Sequence, residues 1–537
     1  MYFLLDGLEV DASRAGSNID LQIGMLVCRI LHIEPEKILN WRIKSKSIDS
    51  RRKVHIVYSV VVESNADLSL LKVKTPLRIS VISAEEVQRK FDPVLNIVRN
   101  KNASAPVIVV GTGPAGIFAA LALSRAGFRV IILDRGRKVD ERAADWQKFL
   151  RNRELDTNSN LLIGEGGAGT FSDGKLFTRT RDENSNFVLK TFVEHGASPD
   201  TIYLKRPHIG SDILPKVAES MRHEIESLGG EFRFGTAVKS LIIEDDKVSG
   251  VITVCGEKIY GCAVLLAHGL GGRDLTMELI RQGIPYELKG FQIGCRIEHP
   301  QYMIDRQQYH MSGRPASLGS AEYNFVSPGN EQMKIRGVSS FCMCPGGEIV
   351  MASAWRNQLT SNGMSVHARD GKFANSCLIM SFDGKDFGSV QSAYDFLKKY
   401  EKAAFEAGGG NYTLPAQSAA GFLNGREDIL YRESSSQTGV ISARLDLLFP
   451  LEMRNSLRHA LLNFQKKCPF FIDCGQFAGI ETCVSSPVRF VRNVETLGSP
   501  VENLYLCGEG AGYAGGIMSG AVDGLKTARM IAEKYCC

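Results

Sequence analysis

The chain has 537 residues, of which 44% are apolar and 23% are charged. This length predicts two or three domains with ample buried surface, and the composition excludes a disordered or coiled-coil protein. The formal net charge of +5 is small for the length, so charge alone does not indicate a polyanionic partner.

No apolar run in the sequence approaches the roughly 20 residues that a membrane-spanning helix needs. The first residues, Met-Tyr-Phe-Leu-Leu-Asp, lack a basic leader and reach an acid at Asp6, so they do not resemble a signal peptide. We therefore expect a cytoplasmic protein without a membrane partner. The 13 cysteines include no pair with zinc or redox-motif spacing, which predicts reduced thiols and no metal site.

Residues 1–95 are predicted to form a small α+β domain. Tyr2 to Leu5 and Lys53 to Glu63 have the character of strands, and Asp20 to Leu31 carries apolar residues at helical spacing. Between them lies a basic segment, Arg42 to Lys53. A solvated loop at a strand edge is the commoner explanation of such a segment, and contact with a nucleic acid is the alternative.

The segment 106–135 has the order strand, glycine turn, helix, strand. Val107 to Val110 is a β-branched run typical of a buried parallel strand, and Ile117 to Ala126 has apolar residues at helical spacing. The turn between them reads Gly-Thr-Gly-Pro-Ala-Gly, and an acid ends the second strand. This context predicts a dinucleotide site formed by Gly111, Gly113, Pro114, Ala115, Gly116, Asp134 and Arg135.

Each glycine of this turn has a physical role in dinucleotide binding. Gly111 permits the sharp turn, Gly113 lets the backbone approach a pyrophosphate, and Gly116 lets helix and strand pack closely. The helix N-terminus then faces the phosphate oxygens, and Asp134 is placed to accept hydrogen bonds from a ribose. Spacing alone does not separate NAD from FAD.

A second glycine-rich segment, 164–179, follows a helix predicted to extend to Leu150. A loop with few side chains suits close approach to a flat polar ligand, because its backbone amides are available as donors. A flexible surface loop is the alternative. The candidate ligand-binding residues of this segment are Gly166, Gly167, Thr170, Ser172, Asp173, Gly174 and Lys175.

The middle of the chain continues with a helix predicted over 209–228 and an antiparallel meander of three or four strands within 231–267. The last of these strands is expected to return to the main sheet. Residues 285–445 then change to mixed short strands, with 357–365 as a polar loop and one clear helix near Tyr394 to Glu406. We assign this stretch to a mixed α+β substrate or cap domain.

The C-terminal segment is predicted to be a strand over Val501 to Gly508, a glycine-rich turn, and a helix through Ala532. Together with Gly111–Gly116, Asp134 and the meander ending at Val264–Gly269, this segment resembles the FAD-binding domain of the glutathione-reductase-like flavoprotein superfamily. The resemblance implies an α/β fold in which 106–284 and 446–537 form a Rossmann-like domain, with a parallel sheet and the meander as an insertion. It also implies FAD as the cofactor.

The resemblance further implies which other residues lie beside FAD. Val238, Ala267 and Gly269 would run along the cofactor, Glu509 would bond the ribityl chain, and the following helix N-terminus would face the flavin. Glu509 stands where aspartate is commoner in the superfamily, and His268 stands where threonine is commoner. The residues implied at the C-terminal motif are Gly508, Glu509, Gly515, Gly516 and Ile517.

At a finer level the chain resembles a largely bacterial family of FAD-dependent dehydrogenases, over nearly its full length. The motifs that carry this resemblance are Gly164–Arg179, Arg206–Gly210, Met343–Gly347, Asn362–Ser365, Ser485–Arg489 and Gly508–Gly516. The resemblance does not supply a substrate.

A single dinucleotide fingerprint argues against a disulfide reductase, which would need a second nucleotide domain and a cysteine pair near the flavin. We therefore expect hydride transfer between the flavin and an unidentified small molecule, with NAD(P)H as a candidate transient reductant. An RNA-associated flavoprotein that uses residues 42–53 is the alternative. The catalytic candidates are Lys175 first, then His208, Arg296, His299 and Arg489.

Overall fold

The structure is a computed structural model that describes residues 1–12, 19–65, 77–100, 105–178, 182–315, 317–427 and 433–536. The described chain contains a four-stranded N-terminal sheet, a five-stranded parallel sheet and a seven-stranded mixed sheet. This confirms a mixed α/β fold. Among the described residues, no helix combines the length and the apolar character needed to cross a bilayer.

The N-terminal unit is an antiparallel sheet with the strand order β2-β3-β1-β4. Helix α1 packs on it through Ile23, Val27 and Leu31, which are fully buried because they repeat at helical spacing. The predicted helix is confirmed. The first predicted strand is longer than expected, and the second spans His55–Ser64 where Lys53 to Glu63 was predicted. The elements are β1 (Tyr2–Asp11), α1 (Ile19–Leu31), β2 (Ile38–Asp49), β3 (His55–Ser64), β4 (Arg78–Ile82) and α2 (Ala84–Phe91).

The parallel sheet has the strand order β23-β11-β5-β6-β7, with every neighbouring pair parallel. The predicted strands on either side of the fingerprint turn are confirmed, and both are buried on two faces. The strands are β5 (Val107–Val110), β6 (Val130–Leu133), β7 (Glu231–Arg233), β11 (Ala263–Leu266) and β23 (Leu504–Leu506).

Helices cover one face of this sheet because alternate strand residues such as Val109 and Ile132 point towards them. The neighbours Val110 and Leu133 point to the other face, where the meander and α7 pack. The predicted start at residue 209 is too early for α6, since residues 211–213 form a turn before it. The helices are α3 (Pro114–Arg125), α4 (Val139–Asn152), α5 (Ser185–Glu194), α6 (Leu214–Ser227), α7 (Arg273–Arg281) and α13 (Ile517–Tyr535).

The meander insertion has three antiparallel strands in the order β10-β9-β8. Residues 231–233, which the sequence placed at its start, instead extend the parallel sheet as β7. The predicted return of the last strand to the main sheet is confirmed by β11. The meander strands are β8 (Val238–Glu244), β9 (Lys247–Thr253) and β10 (Lys258–Tyr260).

The seven-stranded sheet has the order β14-β15-β18-β13-β21-β19-β20. Its strand β21 lies beyond residue 445, where the sequence placed the domain boundary, and pairs with β13 and β19. The strands are β13 (Phe291–Pro300), β14 (Val326–Ser327), β15 (Val338–Cys344), β18 (Phe373–Phe382), β19 (Leu414–Ser418), β20 (Val440–Ser442) and β21 (Gln476–Glu481).

Two small ribbons and several helices surround the seven-stranded sheet. Residues 357–365, predicted as a polar loop, include a strand that pairs with residues 348–351. The predicted helix near residues 394–406 is confirmed within α9. The remaining elements are β12 (Tyr286–Leu288), α8 (Gln301–Tyr309), β16 (Glu348–Met351), β17 (Ser361–Met364), α9 (Val390–Ala407), α10 (Ala419–Asn424), α11 (Leu445–Leu448), α12 (Leu451–Lys467) and β22 (Val488–Phe490).

Candidate functional site

The fingerprint turn joins β5 to α3 in the geometry that its glycines predict. Gly111 has φ +101°, and a Cβ atom there would lie 2.4 Å from the Ala267 carbonyl oxygen. A Cβ atom at Gly116 would lie 1.9 Å from the Gly111 oxygen, so only glycine lets helix and strand approach this closely. Pro114 is the first residue of α3, where its missing N–H costs nothing.

The N-terminus of α3 is open towards a ligand. No side chain among the described residues caps it at Gly113, so the first amides of the helix keep their capacity to donate. Gly113 itself has φ −65°, and the nearest atom to an added Cβ would be the Gly167 Cα at 4.0 Å. The protein therefore does not require glycine at 113, whereas a phosphate group lying on the helix N-terminus would.

The end of β6 is held by the carboxylate of Asp134. Its Oδ2 accepts from the Thr112 amide at 2.9 Å and its Oδ1 from the Gly136 amide at 2.8 Å. Asp134 thus fixes the fingerprint turn, and a bond to a ribose would be an additional contact that stays a prediction. Arg135 pairs with Asp274 at 3.0 Å, which turns it towards α7.

The second glycine-rich segment wraps around a buried arginine, Arg142. Its guanidinium donates to the carbonyls of Asn160 at 2.9 Å, Gly167 at 3.1 Å and Glu165. Burial lowers the pKa of Arg142 to about 10. The side chain of Glu165, also fully buried, accepts from Arg222 at 2.7 Å, so these charges hold the loop in one shape.

The loop residues nominated from sequence lie along this ordered segment. The Gly166 amide donates to the Thr112 carbonyl at 3.1 Å, which ties the loop to the fingerprint turn. Thr170 donates to the Glu165 carbonyl, and Ser172 bonds Gly169 and Gly174, so these hydroxyls stabilise the loop itself. These hydrogen bonds argue against the alternative that this segment is a flexible surface loop.

The C-terminal motif forms a third turn, between β23 and α13. The Gly508 amide donates to Asp523 at 2.8 Å, and Glu509 accepts from the Ser486 amide at 2.8 Å. Burial raises the pKa of Glu509. Gly515 and Gly516 are exposed, and α13 starts at Ile517.

These three turns meet at one place. An added Cβ at Gly167 would be 2.9 Å from the Gly113 Cα, and one at Gly169 would be 3.1 Å from Ile517. An added Cβ at Gly508 would be 3.1 Å from Ala115. The N-termini of α3 and α13 therefore open on the same region, as a bound dinucleotide requires.

Three further nominated residues border this region. Ala267 donates its amide to Val110 at 2.8 Å beside the fingerprint turn. No atom of the described residues lies within 4 Å of the Cβ position of Gly269, which has φ +61° and faces open space. Val238 begins β8 next to Thr236, whose amide donates to the Asp134 carbonyl at 2.8 Å.

Lys175 lies where the glycine-rich loop meets the seven-stranded sheet. Its Nζ is 3.3 Å from Asp173 Oδ2 and 3.7 Å from the Cys344 sulfur. Burial opposes its charge, but Asp173 and the thiols of Cys344 and Cys342 raise the pKa of Lys175 above its ordinary value. A cation at this position agrees with the choice of Lys175 as the first catalytic candidate.

His208 lies next to Lys175 and contacts a loop of the cap. Its Nε2 is 2.9 Å from the His367 carbonyl, and the two imidazole rings stack with centroids 5.2 Å apart. Burial and the positive charge of Arg369 lower the pKa of His208 to about 4. His208 is therefore neutral at pH 7, and it connects the glycine-rich loop to the loop between β17 and β18.

Arg296 lies on the face of the seven-stranded sheet that Lys175 contacts, and it is fully buried. Its Nε is 2.7 Å from Glu481, and its Nη1 is 2.6 Å from the Asn375 side-chain oxygen. Burial opposes the charge of Arg296, but Glu481 raises its pKa overall, while burial raises the pKa of Glu481. The structure thus brings Arg296 close to the Lys175 junction.

The other two catalytic candidates lie elsewhere. His299 is in the apolar core of the cap, where its Nε2 donates to the Phe471 carbonyl at 2.9 Å. Arg489 is exposed on β22, with its guanidinium 5.7 Å from the Tyr513 ring. The structure does not bring either side chain into contact with Lys175.

The basic segment 42–53 is mostly part of β2, and its side chains contact the protein. Arg42 pairs with Asp92 at 2.9 Å, and Lys53 pairs with Asp11 at 2.5 Å. The backbone of Lys46 bonds Tyr203 and Lys205, which docks the N-terminal unit onto the parallel-sheet half. Nucleic-acid contact through this segment stays a prediction.

Sequence reasoning missed Arg369, Glu481, Asn375 and Arg142. Each is a buried charged or amide side chain that lies outside the glycine-rich motifs. The sequence around Glu481 shows only a charged residue in an apolar strand. Such a pattern does not show which residue the carboxylate pairs with. No cluster of histidine, cysteine and carboxylate side chains in the described ranges is arranged to hold a metal ion.

Comparisons with known proteins agree with this geometry. A family model described as an FAD binding domain matches residues 104–145, and one described as the C-terminal domain of an FAD-dependent protein matches residues 290–483. A Clostridium beijerinckii protein, named only as an uncharacterized protein, is 38% identical over 516 residues, which are 95% of each chain. The chain belongs to the same family of FAD-dependent proteins.

The solved structures that match this chain are less similar to it than the Clostridium beijerinckii protein is. The crystal structure of CtdE in complex with FAD is 14% identical, covers 80% of this chain and 84% of its own, and has a TM-score of 0.34. Glycine oxidase from Bacillus cereus is 12% identical, covers 80% of this chain and 98% of its own, and has a TM-score of 0.33. Such TM-scores are too low to carry an argument, so the family matches carry the assignment.

The family matches and the three converging turns give the same result for the cofactor. The chain is that of an FAD-dependent protein. The residues present fit FAD, because the N-termini of α3 and α13 and the open positions at Gly113 and Gly269 lie where a long dinucleotide would pass.

Proposed function

We propose that the protein is an FAD-dependent dehydrogenase or reductase of the glutathione-reductase-like superfamily, with a single nucleotide-binding domain. The convergence of the turns at Gly113, Gly167 and Ile517 is the observation that supports this proposal most strongly. In the proposed complex, the α3 N-terminus and the glycine-rich loop hold the ADP half of FAD, and the α13 N-terminus holds the flavin end.

The bound flavin supplies the chemistry, which is hydride transfer at its N5 atom. The chain's own residues bind, orient and shield the reactants. Lys175 provides a cation at the edge of the site, where it stabilises negative charge. The seven-stranded sheet covers this junction with buried polar groups, including Arg296 and Asn375, and excludes bulk water.

The partner in the reaction is a small molecule that enters between the glycine-rich loop and the seven-stranded sheet. Lys175 has a side chain 29% exposed, whereas Arg296 is fully buried, so the lysine is the group that can touch this molecule. NAD(P)H is the proposed transient reductant. It would bind without a second nucleotide domain, because the chain carries one dinucleotide fingerprint.

Anaerobic stopped-flow mixing tests this proposal. The purified protein should carry FAD, and NADH, NADPH or a member of a metabolite panel should bleach its visible absorbance. Lys175→Met should lower the rate of reduction much more than the FAD content, and Lys175→Arg serves as the matched control because it keeps the charge. Protein that carries no flavin and takes none up contradicts the proposal, and an unchanged rate in Lys175→Met removes that residue from it.

A further inference from the structure

Five charged residues form a continuous cluster at the junction between the glycine-rich loop and the seven-stranded sheet. Asp173 accepts from Arg369 through Nε at 2.9 Å and also through Nη2, and it is 3.3 Å from the Lys175 ammonium. Arg296 and Glu481 pair at 2.7 Å on the adjoining strands. We call these five residues the junction cluster.

The junction cluster carries one positive charge in excess, because it contains three cations and two carboxylates. Glu481 is matched by Arg296, and Asp173 is matched by Arg369 in a bidentate pair. Burial opposes ionisation of Asp173, but Lys175 and Arg369 hold its pKa well below the ordinary value. Lys175 is thus the cation left without a matching carboxylate within the cluster.

The excess charge can reach a ligand at one point of the cluster. The side chains of Arg296, Glu481 and Asp173 are at most 3% exposed, and that of Arg369 is 10% exposed. The Lys175 side chain is 29% exposed. A single anionic group that binds at Lys175 would therefore neutralise a cluster that is otherwise out of contact with water.

Arg369 is held rigidly in the position that leaves Lys175 available. Its backbone has φ +49°, a conformation that non-glycine residues rarely adopt, and its amide donates to the Val366 carbonyl at 3.1 Å. A Cβ atom at Gly346 would lie 2.0 Å from the Arg369 carbonyl oxygen. This close packing fixes the arginine against Asp173, so that the carboxylate is shared between Arg369 and Lys175.

We propose that the site takes a substrate with a carboxylate group, which binds at Lys175, and that Arg369 is the positioning residue that makes Lys175 available. This inference rests on the proposed function, and it adds the substrate class. A carboxylate fits because its single negative charge equals the excess of the junction cluster, whereas a neutral ligand would leave that excess uncompensated.

Benzoate binding to the FAD-loaded protein at pH 8 tests the inference, with the visible spectrum of the bound flavin as the readout. Benzamide is the neutral control ligand. Arg369→Met should weaken benzoate binding at least about tenfold, since Asp173 then neutralises Lys175. Adding Asp173→Asn to that variant should restore binding to within about threefold, because the excess charge returns, and Arg369→Lys should retain it.

The double variant separates positioning from direct contact. If Arg369 itself held the ligand, or held only the loop, Asp173→Asn would not restore binding, and the inference would be overturned. Equal benzoate affinity in wild type and Arg369→Met overturns it too, as does wild-type protein that binds benzamide as well as benzoate or binds neither.

Folding and cofactor content are measured on the same samples. If Arg369→Met does not fold, Lys175→Met and Lys175→Arg decide the question, because only the former should lose benzoate binding. Wild-type protein without FAD contradicts the proposed function itself. If the protein carries FAD but its benzoate binding does not follow the charges of these variants, only the inference about the carboxylate is contradicted.

Discussion

The cofactor turns and the junction cluster lie side by side, yet they are built in opposite ways. The turns at Gly111, Gly116 and Gly167 depend on backbone atoms and on missing side chains. The cluster depends on charged side chains that are buried and matched, such as Arg296 with Glu481. The first region should therefore tolerate no added volume at these three glycines, and the second should tolerate no unmatched charge among its buried members.

Breaking the buried ion pair of the cap should have the largest effect on stability. Arg296→Met leaves Glu481 buried without its cation, and should lower the free energy of unfolding by about 3–5 kcal/mol. Denaturant unfolding measures the change. The double variant Arg296→Met/Glu481→Leu should lose much less, and a double variant as unstable as the single one would contradict the account of matched charge.

The pH dependence of stability tests the junction through His208. Its pKa of about 4 lies below the ordinary 6.5, so the unfolded chain takes up the proton first as the pH falls. Stability should be complete above pH 6.5 and should decrease towards pH 4, by at most about 3 kcal/mol from this residue. His208→Gln should reduce that slope in urea unfolding measured across this range. A slope identical to that of the wild type would contradict the burial of a neutral histidine here.

A pair of glycines in α13 tests the close packing on the cofactor side. A Cβ atom at Gly524 would lie 2.1 Å from the Ala115 carbonyl oxygen, so Gly524→Ala should destabilise the protein by about 1–3 kcal/mol. At Gly520 the nearest atom would be 3.6 Å away, so Gly520→Ala should be neutral or stabilise by up to about 1 kcal/mol. Thermal unfolding compares the two, and equal effects would show that α3 and α13 are not packed this closely.

Surface ion pairs of the N-terminal unit should contribute least. Arg42 and Asp92 are about half exposed, with values of 44% and 56%, so Arg42→Ala should change the unfolding free energy by less than about 1 kcal/mol. Denaturant unfolding at low and high salt measures this contribution. A loss comparable to that of Arg296→Met would mean that the packing of α2 against β2 depends on the pair.

Sequence predicted the cofactor side well because its signals are local. The turn at Gly111–Gly116, its flanking strands and the helix α13 each fall within a short window that periodicity and glycine spacing describe. The cap was predicted poorly because its polar face is assembled from distant strands. Arg369 and Asp173 are 196 residues apart, and no local pattern indicates that they pair.

Binding of FAD to apoprotein, with wild type and Gly113→Ala compared, tests the central claim most directly. Because an added Cβ at residue 113 would have its nearest protein atom at 4.0 Å, Gly113→Ala should unfold at the same temperature as wild type. It should nevertheless bind FAD at least about tenfold more weakly, since the methyl group occupies the place of a phosphate. Equal FAD affinity in the two proteins, or wild-type apoprotein that takes up no FAD, would contradict the account.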